Sequence, residues 1–170
     1  SGGELLVQGD FALELVKACK REEIPVALDT SGFGNTKTLL TLAEHADLIL
    51  YDLKHANPQM HKKITGVSNR LILENLARLA QDPQTREKII IRIPLVDPLN
   101  AGVENLRNIC LVLLDLNIHQ VNLLPYHNLG ESKHRRLGKN PPPVFNRPRE
   151  KRMEEIRQLF ISRGISALVV

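Results

Sequence analysis

Four short stretches of this sequence set ionisable side chains among apolar ones, in patterns that could bind a charged small molecule. Asp29-Thr30-Ser31-Gly32 closes an apolar run, Asp52 and Lys54 stand two residues apart, Arg92 lies between Ile91 and Ile93, and Tyr126-His127 follows Pro125. Residues two apart on a strand share a face, so Asp52 and Lys54 would form an adjacent pair of opposite charge. A guanidinium inside an isoleucine run is costly to bury unless something anionic faces it. Two arrangements satisfy Arg92. In one, Asp52 and Asp29 neutralise Arg92 and Lys54 as a structural ion network. In the other, a ligand carboxylate or phosphate faces the two cations. His127 reads either as a satisfied loop histidine or as a donor to a ligand hydroxyl or ring. Gly2 and Gly3, just before Glu4, suit a turn where backbone approaches a ligand closely. A flexible linker remnant is the plain alternative.

Alternating elements are needed to bring these stretches together. Apolar spacing predicts helices over 10–22, 35–46, 58–64 and 101–116. Another is marked by Ile72, Leu73, Leu76 and Leu79, and a last one is opened by Asn146 and Pro148 and ended by Gly164. Short apolar runs at 24–30, 46–54, 87–95 and 119–127 read as buried strands, with 165–170 as a final one. Strands that alternate with helices in this way form a parallel sheet covered by helices. The C-terminal ends of such strands carry ligand and catalytic groups. All four polar stretches fall there, which favours a ligand site over a purely structural network. No GxGxxG follows a strand, so a dinucleotide fold has no positive support. The proline-rich stretch 139–148 is a loop rather than a domain linker, and residues 1–170 read as one domain.

Composition limits the class. The 170 residues are 42% hydrophobic and 25% charged, as in an ordinary globular protein. No apolar run reaches the length of a membrane span, and no signal peptide is visible. The net charge of +4 collects late, at 133–139 and 146–152, but with 4% aromatic residues there is no stacking platform for nucleic acid. Cys19 and Cys110 make no disulfide framework and match no metal motif. Cys19 shares a helical face with Phe11, Leu15 and Val16, and Cys110 shares one with Leu106, Ile109 and Leu113. Both read as buried small hydrophobes, and reduced thiols suit the cytoplasm.

Six motifs in register now carry a resemblance: SGGE at 1–4, LDTSG at 28–32, YDLK at 51–54, HKKITGVSN at 61–69, IRIP at 91–94 and LLPYHNLGESKH at 123–134. Their order and spacing resemble the glycyl-radical-enzyme activating enzymes, of which pyruvate formate-lyase activating enzyme is the type member. These belong to the radical S-adenosylmethionine (SAM) superfamily. The resemblance spans essentially the whole chain. It implies an incomplete (β/α)6 partial TIM barrel, a parallel sheet with helices outside, lacking the first two strands. It further implies SAM as cofactor together with a [4Fe–4S] cluster held by a C-x3-C-x2-C loop after the first strand. A glycyl radical enzyme such as pyruvate formate-lyase would be the partner, and flavodoxin or ferredoxin the electron donor.

Residue by residue, Gly2 and Gly3 resemble the turn whose backbone receives the SAM amino group. Lys54 looks like the residue that meets the SAM carboxylate, and Arg92 and His127 like further residues around SAM and its ribose. With Glu4, Asp29 and Ser31 they make up the implied cofactor set. Asp29, Thr30 and Asp52 resemble a pocket for a monovalent cation beside SAM. The segment from His55 to Asn69, with His55, His61, Lys62 and Asn69, resembles the lip that meets the partner. Neither Cys19 nor Cys110 matches the cluster loop, so the chain reads as the C-terminal portion of such an enzyme, inactive alone. Its strand at 24–30 would then be an open edge, inviting dimerisation, swapping or poor solubility. Two other readings stand: a non-catalytic module that binds a small molecule or protein, and an unrelated α/β-barrel enzyme holding a phosphorylated metabolite through Lys54 and Arg92. The latter calls for a tight glycine-rich phosphate loop late in the chain, which 128–143 does not supply.

Overall fold

The computed structural model describes residues 3–126 and 147–170. Along the chain run a 3-10 turn at Leu5–Gln8, α1 (Gly9–Arg21), β1 (Ala27–Thr30), α2 (Thr36–His45), β2 (Leu48–Asp52), α3 (Pro58–Thr65) and α4 (Arg70–Ala80). There follow α5 (Pro83–Glu87), β3 (Ile89–Leu95), α6 (Val103–Asp115), β4 (Gln120–Pro125), α7 (Glu150–Ile161) and β5 (Ser166–Val169). The five strands are all parallel and lie in sequential order, β1-β2-β3-β4-β5. This is the parallel α/β sheet that the alternation predicted, in keeping with the partial barrel that the resemblance implied.

The alternation of side chains along each strand divides the sheet into two unlike faces. Leu28, Ile49, Tyr51, Ile89, Ile91, Ile93, Leu95, Val121 and Leu123 are buried in one continuous core with Leu39, Leu42, Leu76, Leu79, Leu106, Ile109 and Phe160 from the helices. Each of these large side chains contributes about 2 kcal/mol by leaving water. The intervening residues, among them Leu50, Asp52, Ile90, Arg92, Asn122 and Leu124, are only partly covered. Asp29, Asp52 and Arg92 therefore project from the open face, at its C-terminal end, whereas Thr30 alternates onto the buried face with Leu28.

Boundaries differ from the sequence reading where helix ends consume residues. The predicted strand at 24–30 begins only at Ala27. Glu23 adopts the left-handed φ of 56°, and the Ile24 N–H returns to the Cys19 carbonyl at 2.9 Å, closing α1. Asn117 (φ 54°) closes α6 the same way, with the Ile118 N–H on the Leu113 carbonyl at 2.9 Å. The turn at Leu5–Gln8 and the short α5 were not anticipated. α5 has a proline in its first turn and an Asp82 carboxylate accepting from the Thr85 N–H and hydroxyl.

One expectation is corrected. The α1 face with Phe11, Leu15, Val16 and Cys19 is buried only at Val16: Phe11 is 66% and Leu15 53% exposed, and Cys19 is only half-covered. This face lies along β1, whose only strand partner among the described residues is β2. A groove there is lined by Leu5, Ala12, Leu15, Val26, Ala27 and Asp29. β1 is thus the open edge that was expected. Cys110, by contrast, is fully buried, and burial pushes its thiol up to about 11. Brief iodoacetamide treatment at pH 8 is expected to alkylate Cys19 and to spare Cys110 until the protein unfolds. Peptide mass mapping that shows both modified at equal rates would contradict this packing.

Candidate functional site

The polar end of the sheet is organised by Arg92. Register sets Asp52 of β2 directly beside Arg92 of β3. The Arg92 guanidinium donates to Asp52 Oδ1 from Nε at 2.9 Å and from Nη2 at 2.8 Å. Nη2 also reaches across β2 to Asp29 Oδ1 on β1, at 2.5 Å. One side chain therefore ties three strands together at their C-terminal ends. Lys54 Nζ holds the second Asp52 oxygen at 3.1 Å. Burial works against the charge on Arg92, but its bonds to Asp52 and Asp29 outweigh that and hold the guanidinium above its ordinary range. Asp29 remains half-exposed, while Arg92 and Asp52 are about one-fifth exposed. Among the described residues, no cluster of three His, Cys, Asp or Glu side chains is placed to hold a metal. The positive charge between Asp29 and Asp52 is the guanidinium itself.

Glu4 clasps the loop that follows β1. Its Oε1 accepts from the Thr30 hydroxyl at 2.6 Å. Its Oε2 accepts from the Ser31 N–H at 2.9 Å and from the Ser31 hydroxyl at 2.5 Å. Thr30 Oγ1 in turn accepts from the Gly32 N–H at 2.9 Å. Glu4 thereby brings the start of the chain to the end of β1, and Gly3 is left exposed beside it with open space where a Cβ would stand. Gly34 has no such room, because a Cβ there would run into Leu6.

The segment after Lys54 is held from within by asparagines. Asn69 is fully buried and donates to the carbonyls of His55 at 2.7 Å and Ala56 at 2.9 Å. Its Oδ1 is buried without a hydrogen-bond partner. Asn100 donates to the Lys54 and Pro94 carbonyls, and Asn105 Oδ1 accepts from the Ala56 N–H. His55 is buried, and its Nδ1 accepts from the Asn57 N–H at 3.0 Å, which leaves the neutral ring's proton on Nε2. Burial, reinforced by the neighbouring His61, pushes His55 below its ordinary pKa. His61 is buried as well, with Nδ1 on the Val67 carbonyl at 2.8 Å. Of the four residues expected on a partner-facing lip, Lys62 is exposed, whereas His55, His61 and Asn69 shape the segment from inside.

The bonds among the predicted site residues form two networks, Asp29–Arg92–Asp52–Lys54 and Glu4–Thr30–Ser31, which adjoin at the C-terminal end of β1, where Asp29 and Thr30 are successive residues. Gly2 and His127 lie outside the described residues. Sequence reading missed Tyr51, Asn75, Asn100 and Asn105 as parts of this architecture. Asn75 did leave a signal, since it falls on the apolar stripe of α4 marked by Ile72, Leu76 and Leu79. A buried asparagine there needs bonding partners.

No family model matches the chain. It is 40% identical over 164 residues to the trans-4-hydroxy-L-proline dehydratase activating enzyme of Clostridioides difficile, covering 94% of this chain and 53% of that protein. It is 36% identical over 141 residues to the choline trimethylamine-lyase activating enzyme of Oleidesulfovibrio alaskensis, covering 81% and 44%. Among solved structures, a domain of a pyruvate-formate lyase-activating enzyme from Bacteroides vulgatus superposes with a TM-score of 0.82 at 28% identity, covering 100% of this chain and 96% of that one. The chain spans about half the length of the curated relatives it matches.

Proposed function

Because the chain is homologous to about half of each glycyl-radical-enzyme activating enzyme it matches, within the radical SAM superfamily, we propose that it is the SAM-binding, C-terminal portion of such an activase. The observation that carries this reading is the cluster of Glu4, Ser31, Asp52, Lys54 and Arg92 at the strand ends, which has both charges a zwitterionic ligand requires. Lys54, one-third exposed, meets the SAM carboxylate as a compact cation. Gly2 and Gly3 offer backbone to the amino group, and Ser31, Arg92 and His127 line the rest of the site. A monovalent cation on Asp29, Thr30 and Asp52 belongs to the same proposal and requires Asp52 to release one of its two held oxygens. SAM, with a reduced iron–sulfur cluster, supplies the radical chemistry, which takes a hydrogen from a glycine of the partner.

The cluster finds no ligand set in these residues. Cys19 and Cys110 lie on α1 and α6, and Cys110 is fully buried. The proposal is that these 170 residues do not cleave SAM alone. The partner is a glycyl radical enzyme, pyruvate formate-lyase or a relative, reached through the exposed side of 55–69, with flavodoxin or ferredoxin as electron donor. No helix of the described residues is long and apolar enough to cross a membrane, and the cytoplasm is the proposed compartment.

The test is a nuclear magnetic resonance titration of the chain with SAM at millimolar concentration. Shifts are expected at Ser31, Gly32, Lys54 and Arg92, and Lys54→Met is expected to weaken the interaction about tenfold. No shift at these positions, or the same shifts with inorganic phosphate in place of SAM, would overturn the reading.

A further inference from the structure

We propose that Asn75 is a positioning residue that sets the conformation of the loop from Thr30 to Gly34, on which cofactor binding depends. The inference rests on the SAM-binding reading above for the role of that loop, but not for the loop's geometry. Asn75 is fully exhausted by the loop and its flank. Its Nδ2 donates to the Gly32 carbonyl at 2.8 Å and to the Gly34 carbonyl at 3.0 Å, and its Oδ1 accepts from the Thr36 hydroxyl at 2.7 Å. It has no solvent exposure. These contacts are sequence-distant, reaching from α4 to the β1–α2 connection.

The chemistry explains why asparagine is needed. A leucine would suit the apolar stripe of α4 but would leave two loop carbonyls facing a side chain with no donor. An aspartate would turn an anion toward the same two oxygens. Only an amide of this length gives two donors and one acceptor from a single group. While both carbonyls are held by α4, the Thr30 and Ser31 groups are held by Glu4. The loop is thus fixed by a carboxylate at its start and by an amide at Gly32 and Gly34. The two carbonyls can only accept, so they fix Nδ2 as the donating end of the amide, and Oδ1 is left to accept from the Thr36 hydroxyl.

The experiment compares the wild-type chain with Asn75→Asp, Asn75→Leu and Thr36→Val, reading amide protection residue by residue. The Gly32 and Gly34 N–H groups report directly, since they bond Thr30 Oγ1 and the Gly32 carbonyl. At pH 7.5, Asn75→Asp is expected to lower loop protection about tenfold more than it lowers protection in β3. Burial beside two carbonyl oxygens raises the introduced carboxyl above its ordinary range, so at pH 5.5 it takes up a proton, returns one donor and recovers part of the protection relative to wild type, whereas Asn75→Leu does not recover. Thr36→Val keeps the volume and is expected to show a smaller loop-confined loss, which keeps the test decisive if either Asn75 variant fails to fold. Losses spread evenly over loop and β3, or identical pH behaviour of the two Asn75 variants, would overturn the proposal. The readout needs no SAM. A wild-type chain that fails to bind SAM would sink the functional reading alone, while an intact loop in the variants would sink this one alone.

Discussion

Arg92→Met is expected to lower the free energy of unfolding by about 2–3 kcal/mol and to abolish SAM-induced shifts at Ser31 and Lys54. Removing one partner of a covered ion pair strands the other, which typically costs about 3–5 kcal/mol. The lower figure applies because Arg92 and Asp52 keep about one-fifth of their side chains in solvent. Here the guanidinium has two carboxylates, on two different strands, and Lys54 can compensate only for Asp52. For a chain of this length the midpoint of thermal unfolding should fall by roughly 5–10 °C. The companion variant Asp52→Asn separates charge pairing from packing. If the pair is coupled, the double variant is less destabilised than the sum of the two single ones, by about 1–2 kcal/mol. Urea denaturation of the four proteins decides it, and strict additivity would mean that the Arg92–Asp52 pairing contributes nothing and leave only Asp29 and the aliphatic stem to account for the loss.

Gly32→Ala should be comparably severe, at about 3 kcal/mol, for a reason unrelated to charge. Gly32 has φ 71°, in the left-handed region where a side chain costs about 1–2 kcal/mol. An added Cβ would also land on the Tyr51 hydroxyl, and overpacking of this kind costs about 1–3 kcal/mol. Tyr51 cannot easily retreat, because it is buried and its hydroxyl donates to the Ile72 carbonyl at 2.7 Å. Burial also raises the tyrosine's pKa well beyond its ordinary value, so the hydroxyl stays a donor. Tyr51→Phe removes the nearest obstructing atom and the bond that anchors the ring to Ile72, and the pair Gly32→Ala, Tyr51→Phe should recover about 1 kcal/mol relative to additivity. Chemical denaturation showing no recovery would place the cost in the backbone and in the ring carbons Cζ and Cε2, which the added Cβ also overlaps.

Much of this arrangement was legible beforehand because it depends on period and position. Asp52, Lys54 and Arg92 follow apolar stretches whose length and composition mark strands, and parallel strands deliver their C-terminal ends to one place. What stayed hidden depends on which atom bonds which. Glu4 could be assigned to the site, but not to Thr30 and Ser31, since the partners are 26 and 27 residues away. The asparagines at 69, 100 and 105 are ordinary in composition and informative only once their burial is known, whereas Asn75 stands out by its place on an apolar stripe. Asn69 and His61 carry the motif of a contact surface yet face inward, so a segment's resemblance does not tell which of its side chains do the touching. Phe11 and Leu15 have the spacing of a core face, and periodicity shows that a face is apolar without showing what lies against it.

The sequential strand order also bears on how the molecule assembles. Each strand pairs with the strand that precedes it in the chain, and none must be inserted between two others already in place. Single-helix crossovers join β1 to β2 and β3 to β4, while the β2–β3 connection, with α3, α4 and α5, and the β4–β5 connection are longer. Because closure cost grows only slowly with length, the cost of each addition stays modest. Such a sheet can grow in one direction, strand upon strand, as the polypeptide emerges during synthesis. The Arg92 bridge closes only when β3 arrives. Until then Asp52 has Lys54 beside it and Asp29 awaits a cation, and β3, the longest of the five strands, is the addition that brings Arg92 to both carboxylates and extends the core.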